Sequence, residues 1–331
     1  MAGHPFSRSR ARDPVPGPEL IELVERSARG FAAGPELTTL SRELQRRYGA
    51  SLAAVLFYGS CLRSGDVLDG LVDLYVVVDG YRAAYRNPFA AAANRVLPPN
   101  VFYLELPLAE ARLRCKYAVI SMAQLQRATS ARWFHSYFWG RLTQPTVVLY
   151  ARGEPERARV LQALAQATLT FVSRALPLVP ERFTTRELWE QGLAHSYAAE
   201  LRAEGSRRGA ELFAADPEHY DGLTRAALRL LPCDVSPAPR DPQAVHLARL
   251  SAWQRRRGRL GWAVRRPQGK VLSVLRLVKG LFTFRGGMDY VLWKLERHTG
   301  TRIEVPDKVR RHPLVYGWGL TWRLYRQGLF R

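Results

Sequence analysis

The sequence predicts an α+β protein: a mixed β-sheet domain, then a helical domain, then a basic C-terminal segment. Three observations carry that expectation. Between residues 52 and 150, five short apolar runs are separated by helical stretches, the texture of a sheet with helices packed on it. From residue 154 the pattern turns to long Ala- and Leu-rich helical periodicity. The final third is dense in Arg, with Trp and Tyr among it. The expected boundaries are a disordered basic arm at 1–18, the sheet domain at 19–155, the helical domain at 156–300 and a basic aromatic segment at 301–331.

The elements follow in order. The arm holds Arg8, Arg10 and Arg12 with no apolar stretch behind them, so it is not read as a secretory signal. Pro14, Pro16 and Pro18 spoil the amphipathic helix that a mitochondrial transit peptide needs. A helix starts at Pro18, where Leu20, Ile21, Leu23 and Val24 begin an apolar periodicity. A second, at 36–48, carries Leu37, Leu40 and Leu44 at helical spacing and stops at Gly49. Strands are expected at 52–58, 71–78, 100–106, 116–121 and 146–150. Helices are expected at 158–176 and 184–204, the latter opened by a Thr184/Glu187 capping box. After Pro232, Pro237, Pro239 and Pro242 the stretch 243–300 reads as helical again and strongly basic.

Composition narrows the partners. Fifty Lys and Arg against 29 Asp and Glu give a formal net charge of +21, nearly all of it from Arg. Such a field favours an anionic partner: nucleic acid, an acidic membrane or a phosphate-rich substrate. Cys61, Cys115 and Cys233 form no paired motif, which argues against a zinc site or a disulfide framework and fits a reducing compartment. No uncharged apolar run reaches the length of a transmembrane helix.

The chemistry is expected where the first two strands meet. The first ends in Gly59-Ser60, and the second opens with Asp73 inside an otherwise apolar run. A carboxylate there is costly unless it has a metal or a partner. Gly59 lets the backbone come close to a phosphate, Ser60 adds a hydroxyl, and a carboxylate opposite the turn can hold Mg²⁺ against a triphosphate. The plainer reading of Asp73 is a strand-end residue that caps a turn. This pattern resembles the nucleotidyltransferase superfamily signature, in which Gly-Ser precedes an Asp-x-Asp strand. Here the triplet is Asp73-Leu74-Tyr75, so the second carboxylate is missing. Asp79 lies six residues along the same strand, roughly 20 Å away, too far to share a metal. Glu105, in the third strand, is the preferred second ligand; otherwise it is a solvent-facing strand residue.

Further segments are Lys116-Tyr-Ala-Val-Ile-Ser121, the run from Trp133 through Gly140-Arg141-Leu142 to Gln144-Pro145, the run Leu178-Val-Pro-Glu-Arg-Phe-Thr-Thr-Arg-Glu-Leu188 and His195-Ser-Tyr-Ala-Ala-Glu-Leu-Arg202. In this order and spacing they resemble the mitochondrial translocator-assembly-and-maintenance type of phosphatidate cytidylyltransferase, over about residues 55–230. That family also has a Gly-Ser turn and a single Asp opening its second strand. Ala118, Gln144 and Glu200 stand where the family has Gly, Lys and Asp. The resemblance implies a nucleotidyltransferase-like mixed-sheet domain and a helical, winged-helix-like domain. It implies transfer from CTP to phosphatidate with Mg²⁺, giving CDP-diacylglycerol and diphosphate. It implies triphosphate contacts from Gly59 and Ser60, a metal at Asp73, phosphate contacts from Lys116 and Arg141, and a cleft position for Tyr197 and Arg202. Plainer readings stand beside these: a solvated strand end for Lys116, a helix cap for Arg141, a core ring for Tyr197 and an ion pair within its own helix for Arg202.

The basic C-terminal third fits such an enzyme. Residues 270–279 alternate Lys270, Arg276 and Lys279 with six Val and Leu residues, and 280–284 extend the apolar surface, a composition suited to an anionic membrane surface. The tail, with Trp318, Trp322, Tyr325 and Phe330 among arginines, is the stronger expected membrane contact. The expected setting is cytoplasmic, peripheral at the inner membrane, or the matrix side in a eukaryote. No nucleic-acid partner is expected. The alternatives are an RNA-directed nucleotidyltransferase, which the charge would serve equally, and a non-catalytic basic binding protein on the same scaffold.

Overall fold

A computed structural model of the chain describes residues 14–26, 31–108, 111–201, 207–232, 234–236 and 245–283. In chain order the elements are α1 (Pro18–Arg26), α2 (Pro35–Tyr48), β1 (Leu52–Tyr58), α3 (Ser60–Ser64), β2 (Val72–Val78), α4 (Tyr81–Ala84), α5 (Pro88–Val96), β3 (Asn100–Pro107), β4 (Arg112–Ser121) and α6 (Met122–Thr129). There follow α7 (Trp139–Leu142), β5 (Thr146–Ala151), α8 (Glu154–Ala175), β6 (Arg182–Thr184), α9 (Thr185–Ala198), α10 (Arg207–Ala215), α11 (Pro217–Leu230), β7 (Asp234–Ser236), β8 (Val245–Arg249) and α12 (Ala252–Thr283). The α+β class is as expected. The chain divides into two units, one of residues 1–31, 123–147 and 154–271, the other of residues 32–122, 148–153 and 272–331.

The second of these units holds the mixed sheet, in the order β3-β4-β2-β1-β5. Strands β1 and β2 pair antiparallel, β2 and β4 parallel, and β3 and β4 antiparallel. All five strands sit where apolar runs place them, because Val, Leu and Phe side chains bury there; a fully buried one contributes about 1.5–3 kcal/mol. Strand β4 begins at Arg112, four residues earlier than its apolar run suggests. On one face of the sheet α2 packs through Leu37, Leu40 and Leu44, and the Tyr48 ring meets Tyr117 edge-on at 6.3 Å. The other face carries Tyr58, Asp73, Lys116 and Tyr103 as one row across four strands, since they are register partners.

The end of α12 also belongs to this unit. Arg276 Nε donates to the Pro98 carbonyl at 2.9 Å, and Lys279 Nζ to the carbonyls of Leu97 and Pro99. Arg276 and Lys279 thus turn onto backbone carbonyls. Val274, Leu275, Leu277 and Val278 face outward, each about half exposed or more. The amphipathic pattern read from the sequence is present, with the apolar face to solvent. The aromatic tail from Trp318 lies outside the described residues.

The other unit is built around the 22-residue α8, against which α1, α7, α9 and α11 pack. Phe171 of α8 stacks on Trp189 of α9 at 4.7 Å, and Trp189 meets Tyr220 of α11. The Thr184/Glu187 capping box is present as the sequence suggests. Residues 245–249 are not helical as expected. They form β8, the central strand of a three-stranded antiparallel sheet β6-β8-β7. The physical reason is period-two burial, with His246 and Ala248 inward and their neighbours outward. Early in α12, Arg265 is 2% exposed, its guanidinium 4.4 Å over the Phe134 ring and its Nε bonded to the Phe134 carbonyl at 2.7 Å. Burial pushes its pKa down to about 9, with Arg174 adding repulsion. A Cβ at Gly269 would fall 2.1 Å from the Ala199 carbonyl oxygen, so glycine permits this close approach of α12.

A buried polar network ties the small sheet to the helices. Thr185 Oγ1 donates to Asp221 Oδ1 at 3.1 Å and lies 2.9 Å from His246 Nε2, which therefore donates to it. Arg225 pairs with Asp221 at 2.7 Å. Burial lowers the His246 pKa, with Asp221 opposing and Arg225 reinforcing. The folded value is below the unfolded one near 6.5. Below that pH the unfolded chain takes up a proton that the folded chain refuses. Stability from this group is therefore full above about pH 6.5 and falls as pH drops toward the folded value, by at most about 1.4 kcal/mol per pH unit. Urea unfolding at pH 7.5 and 5.5 checks this: His246→Gln should flatten the acid slope, and an unchanged slope would locate the effect elsewhere.

Candidate active site

Strand β1 delivers the chain into Gly59, whose φ of 98° lies in the region that favours glycine. A Cβ on Gly59 would stand 2.9 Å from Asp73 Oδ2 and 3.2 Å from Asp73 Cβ. Glycine is thus required twice, for its φ and for the approach to Asp73. Ser60 opens α3 and is exposed. Gly59→Ala is expected to cost roughly 1–3 kcal/mol of strain and to displace the Asp73 carboxylate. Thermal unfolding with steady-state kinetics checks this; a variant with wild-type kcat/KM would remove the turn from the site.

Asp73 is the second residue of β2, opposite Tyr58 in β1 and Lys116 in β4. Lys116 Nζ lies 2.9 Å from Asp73 Oδ1, and both side chains keep partial access to solvent, 30% and 22%. A pair this exposed is worth about 1 kcal/mol or less, weak enough to be exchanged for a ligand. Tyr58 stacks on Tyr75 at 4.9 Å beside it. Gly59, Asp73 and Lys116 are therefore brought together, with Ser60 following Gly59 in the chain.

Glu105 is not brought to Asp73. It sits on β3, opposite Arg114, two strands and two residues away, about 12 Å at ideal spacing. Its carboxylate accepts from Arg112 at 2.8 Å and from the Tyr103 hydroxyl at 2.9 Å, with Arg114 Nε at 3.8 Å. Burial raises its pKa, but the bonds from Arg112 and Tyr103 and the charge of Arg114 together hold it below the usual range. Among the described residues no group of three His, Cys, Asp or Glu could hold a metal ion. The donors present fit an ion of the Mg²⁺ kind, which takes one or two carboxylates and completes its shell with water and substrate phosphate. Asp73 is the carboxylate on this face that could serve such an ion.

Arg141 and Tyr197 belong to the other unit. Arg141 Nε donates to Glu200 Oε1 at 3.2 Å, and its Nη2 makes a second contact to Glu200 Oε2. Its guanidinium stacks over the Tyr137 ring at 4.2 Å. Gln144 Nε2 donates to the Tyr197 hydroxyl at 3.1 Å. Two positions that depart from the family pattern, Gln144 and Glu200, are thus the partners of Tyr197 and Arg141. Arg202 lies outside the described residues. Sequence reasoning missed Tyr103, Arg112 and Arg114. The signal for the two arginines was the alternation Arg112, Arg114, Lys116 against Leu113 and Cys115.

Residues 85–208 match the model of the protein family described as "Phosphatidate cytidylyltransferase, mitochondrial". The matched span includes Glu105, Lys116, Arg141 and Tyr197 and begins after Asp73. No curated protein matches the chain. Among solved structures, the chain is similar to a nucleotidyltransferase-like protein from Exiguobacterium sibiricum 255-15, at 12% identity and a TM-score of 0.26, with 90% of this chain and 93% of that chain covered.

Proposed function

We propose, taking residues 85–208 as a segment of the phosphatidate cytidylyltransferase family and the chain as a nucleotidyltransferase, that the protein transfers CMP from CTP to phosphatidate. A phosphate oxygen of phosphatidate forms the new bond to the α-phosphorus of CTP. The bond from that phosphorus to the bridging oxygen breaks, and diphosphate leaves. The product is CDP-diacylglycerol, a precursor for phosphatidylglycerol- and cardiolipin-type lipids.

The observation that carries this reading is Asp73 standing between the Gly59 turn and Lys116 on one sheet face. Gly59 admits the triphosphate close to the backbone, and Ser60 offers it a hydroxyl. Asp73 would hold Mg²⁺ together with phosphate oxygens, and the ion would neutralise charge at the α-phosphate and the leaving diphosphate. Lys116 neutralises Asp73 and then serves the incoming phosphate. The pair with Glu200 supports a structural role for Arg141, and Tyr197 and Arg202 remain proposed cleft residues. No described helix is long and apolar enough to cross a membrane. The outward Val274, Leu275, Leu277 and Val278 beside Lys270 favour peripheral attachment to an anionic bilayer. They also favour lipid over RNA as the acceptor.

Diphosphate release from CTP and Mg²⁺ tests the reading, with phosphatidate vesicles, with phosphatidylcholine vesicles and with an RNA 3′ end. Release with phosphatidate alone is the expected result. Release with RNA alone would replace the proposal by the polymerising alternative, and none with any acceptor would leave a binding protein.

A further inference from the structure

Strand β4 carries Arg112, Arg114 and Lys116 in alternation with Leu113 and Cys115, which are fully buried. Alternate residues of a strand share a face, so three cations stand in file about 6.6 Å apart. The outer cation is open to solvent and the other two are partly covered. Arg112 is 67% exposed, Arg114 23% and Lys116 30%, and Lys116 ends 2.9 Å from Asp73.

One counter-charge holds the two outer cations in place. Glu105, on the neighbouring β3, directs Oε1 to Arg112 at 2.8 Å and Oε2 toward Arg114 at 3.8 Å, while Tyr103 fixes Oε2 from the other side at 2.9 Å. Three cations against Glu105 and Asp73 leave this group of five side chains net positive.

The strand order gives the file a side. In β3-β4-β2-β1, Asp73 on β2 separates the Gly59 turn at the end of β1 from the cations of β4. Two phosphate-accepting flanks therefore face one carboxylate. Displacement at phosphorus brings the attacking and leaving oxygens in from opposite sides.

We infer that Arg112, Arg114 and Lys116 form the subsite for the phosphate monoester of the acceptor, with Arg114 its main contact and Glu105 the residue that positions it. This rests on the cytidylyl-transfer reading, which puts the triphosphate on the Gly59 flank. Arginine suits the task, because its planar fork meets a phosphate with two parallel hydrogen bonds.

The test uses the full chain and dihexanoyl phosphatidate, a water-soluble acceptor that needs no membrane. Arg114→Gln should raise KM for this lipid at least tenfold and leave KM for CTP within twofold. Arg114→Lys should fall between the two, and Glu105→Gln should raise the lipid KM while kcat changes little. Calorimetric binding of dihexanoyl phosphatidate without CTP should weaken at least tenfold in Arg114→Gln. An equal rise in KM for CTP, or no change toward either substrate, overturns the inference. Arg114-dependent binding with no turnover would sink the cytidylyl reading and keep the subsite. Turnover indifferent to Arg114 would do the reverse.

Discussion

Asp73→Asn is expected to lower phosphatidate-dependent diphosphate release about 10³-fold, equivalent to about 4 kcal/mol of transition-state stabilisation. The change keeps the shape of the side chain and removes a carboxylate that stands beside both Gly59 and Lys116. Folding should be nearly untouched, since the lost ion pair is partly exposed and worth about 1 kcal/mol or less. The kinetic and structural consequences are therefore separable. Circular dichroism and thermal unfolding should match the wild type, while kcat collapses. A variant that keeps more than a tenth of wild-type turnover would remove Asp73 from the chemistry and, with it, the metal proposed there.

The second large effect lies in the other unit. Arg141→Ala leaves Glu200 buried with its two guanidinium contacts gone; the side chains are 13% and 4% exposed. Breaking one side of a buried pair costs about 3–5 kcal/mol, because the remaining charge has no water to turn to. Differential scanning calorimetry should show a drop in Tm of roughly 10 °C. Replacing both partners, Arg141→Met with Glu200→Leu, should restore most of the loss, since desolvation of the charges disappears together with their attraction. A loss under 1 kcal/mol for the single variant would mean that the Arg141–Glu200 pair contributes little to stability.

Much of the sheet was legible because buried strands write themselves as apolar runs. Leu52–Tyr58 and Val72–Val78 are both nearly fully buried, and each was readable as a strand with its catalytic candidate at one end. What a run of residues cannot show is its neighbour. Glu105 looked like a metal ligand because it sits in the third strand, where the nucleotidyltransferase superfamily that the motif resembles places a further carboxylate. Register decides otherwise, by setting it opposite Arg114 and leaving β4 between it and β2. The same strand hid two arginines. Its apolar half, from Tyr117 onward, is readable by hydrophobicity, whereas its first half alternates charge with buried Leu113 and Cys115. Short strands fared worst. Three residues at Arg182–Thr184 and at Asp234–Ser236 are too few to carry a period, and they exist because Val245–Arg249 pairs with both. In the helical unit, Arg141 and Tyr197 were identified by their motifs. Their partners Glu200 and Gln144 lie 59 and 53 residues away in sequence, a pairing that only the packed chain reveals.

The most direct test of the central claim is identification of the lipid formed from CTP and phosphatidate vesicles with Mg²⁺, by mass spectrometry of the extracted product. The account predicts CDP-diacylglycerol, formed in equal amount to diphosphate by the wild type and undetected with Asp73→Asn. Diphosphate release without a cytidylylated lipid, or the same lipid from the Asp73 variant, would contradict it.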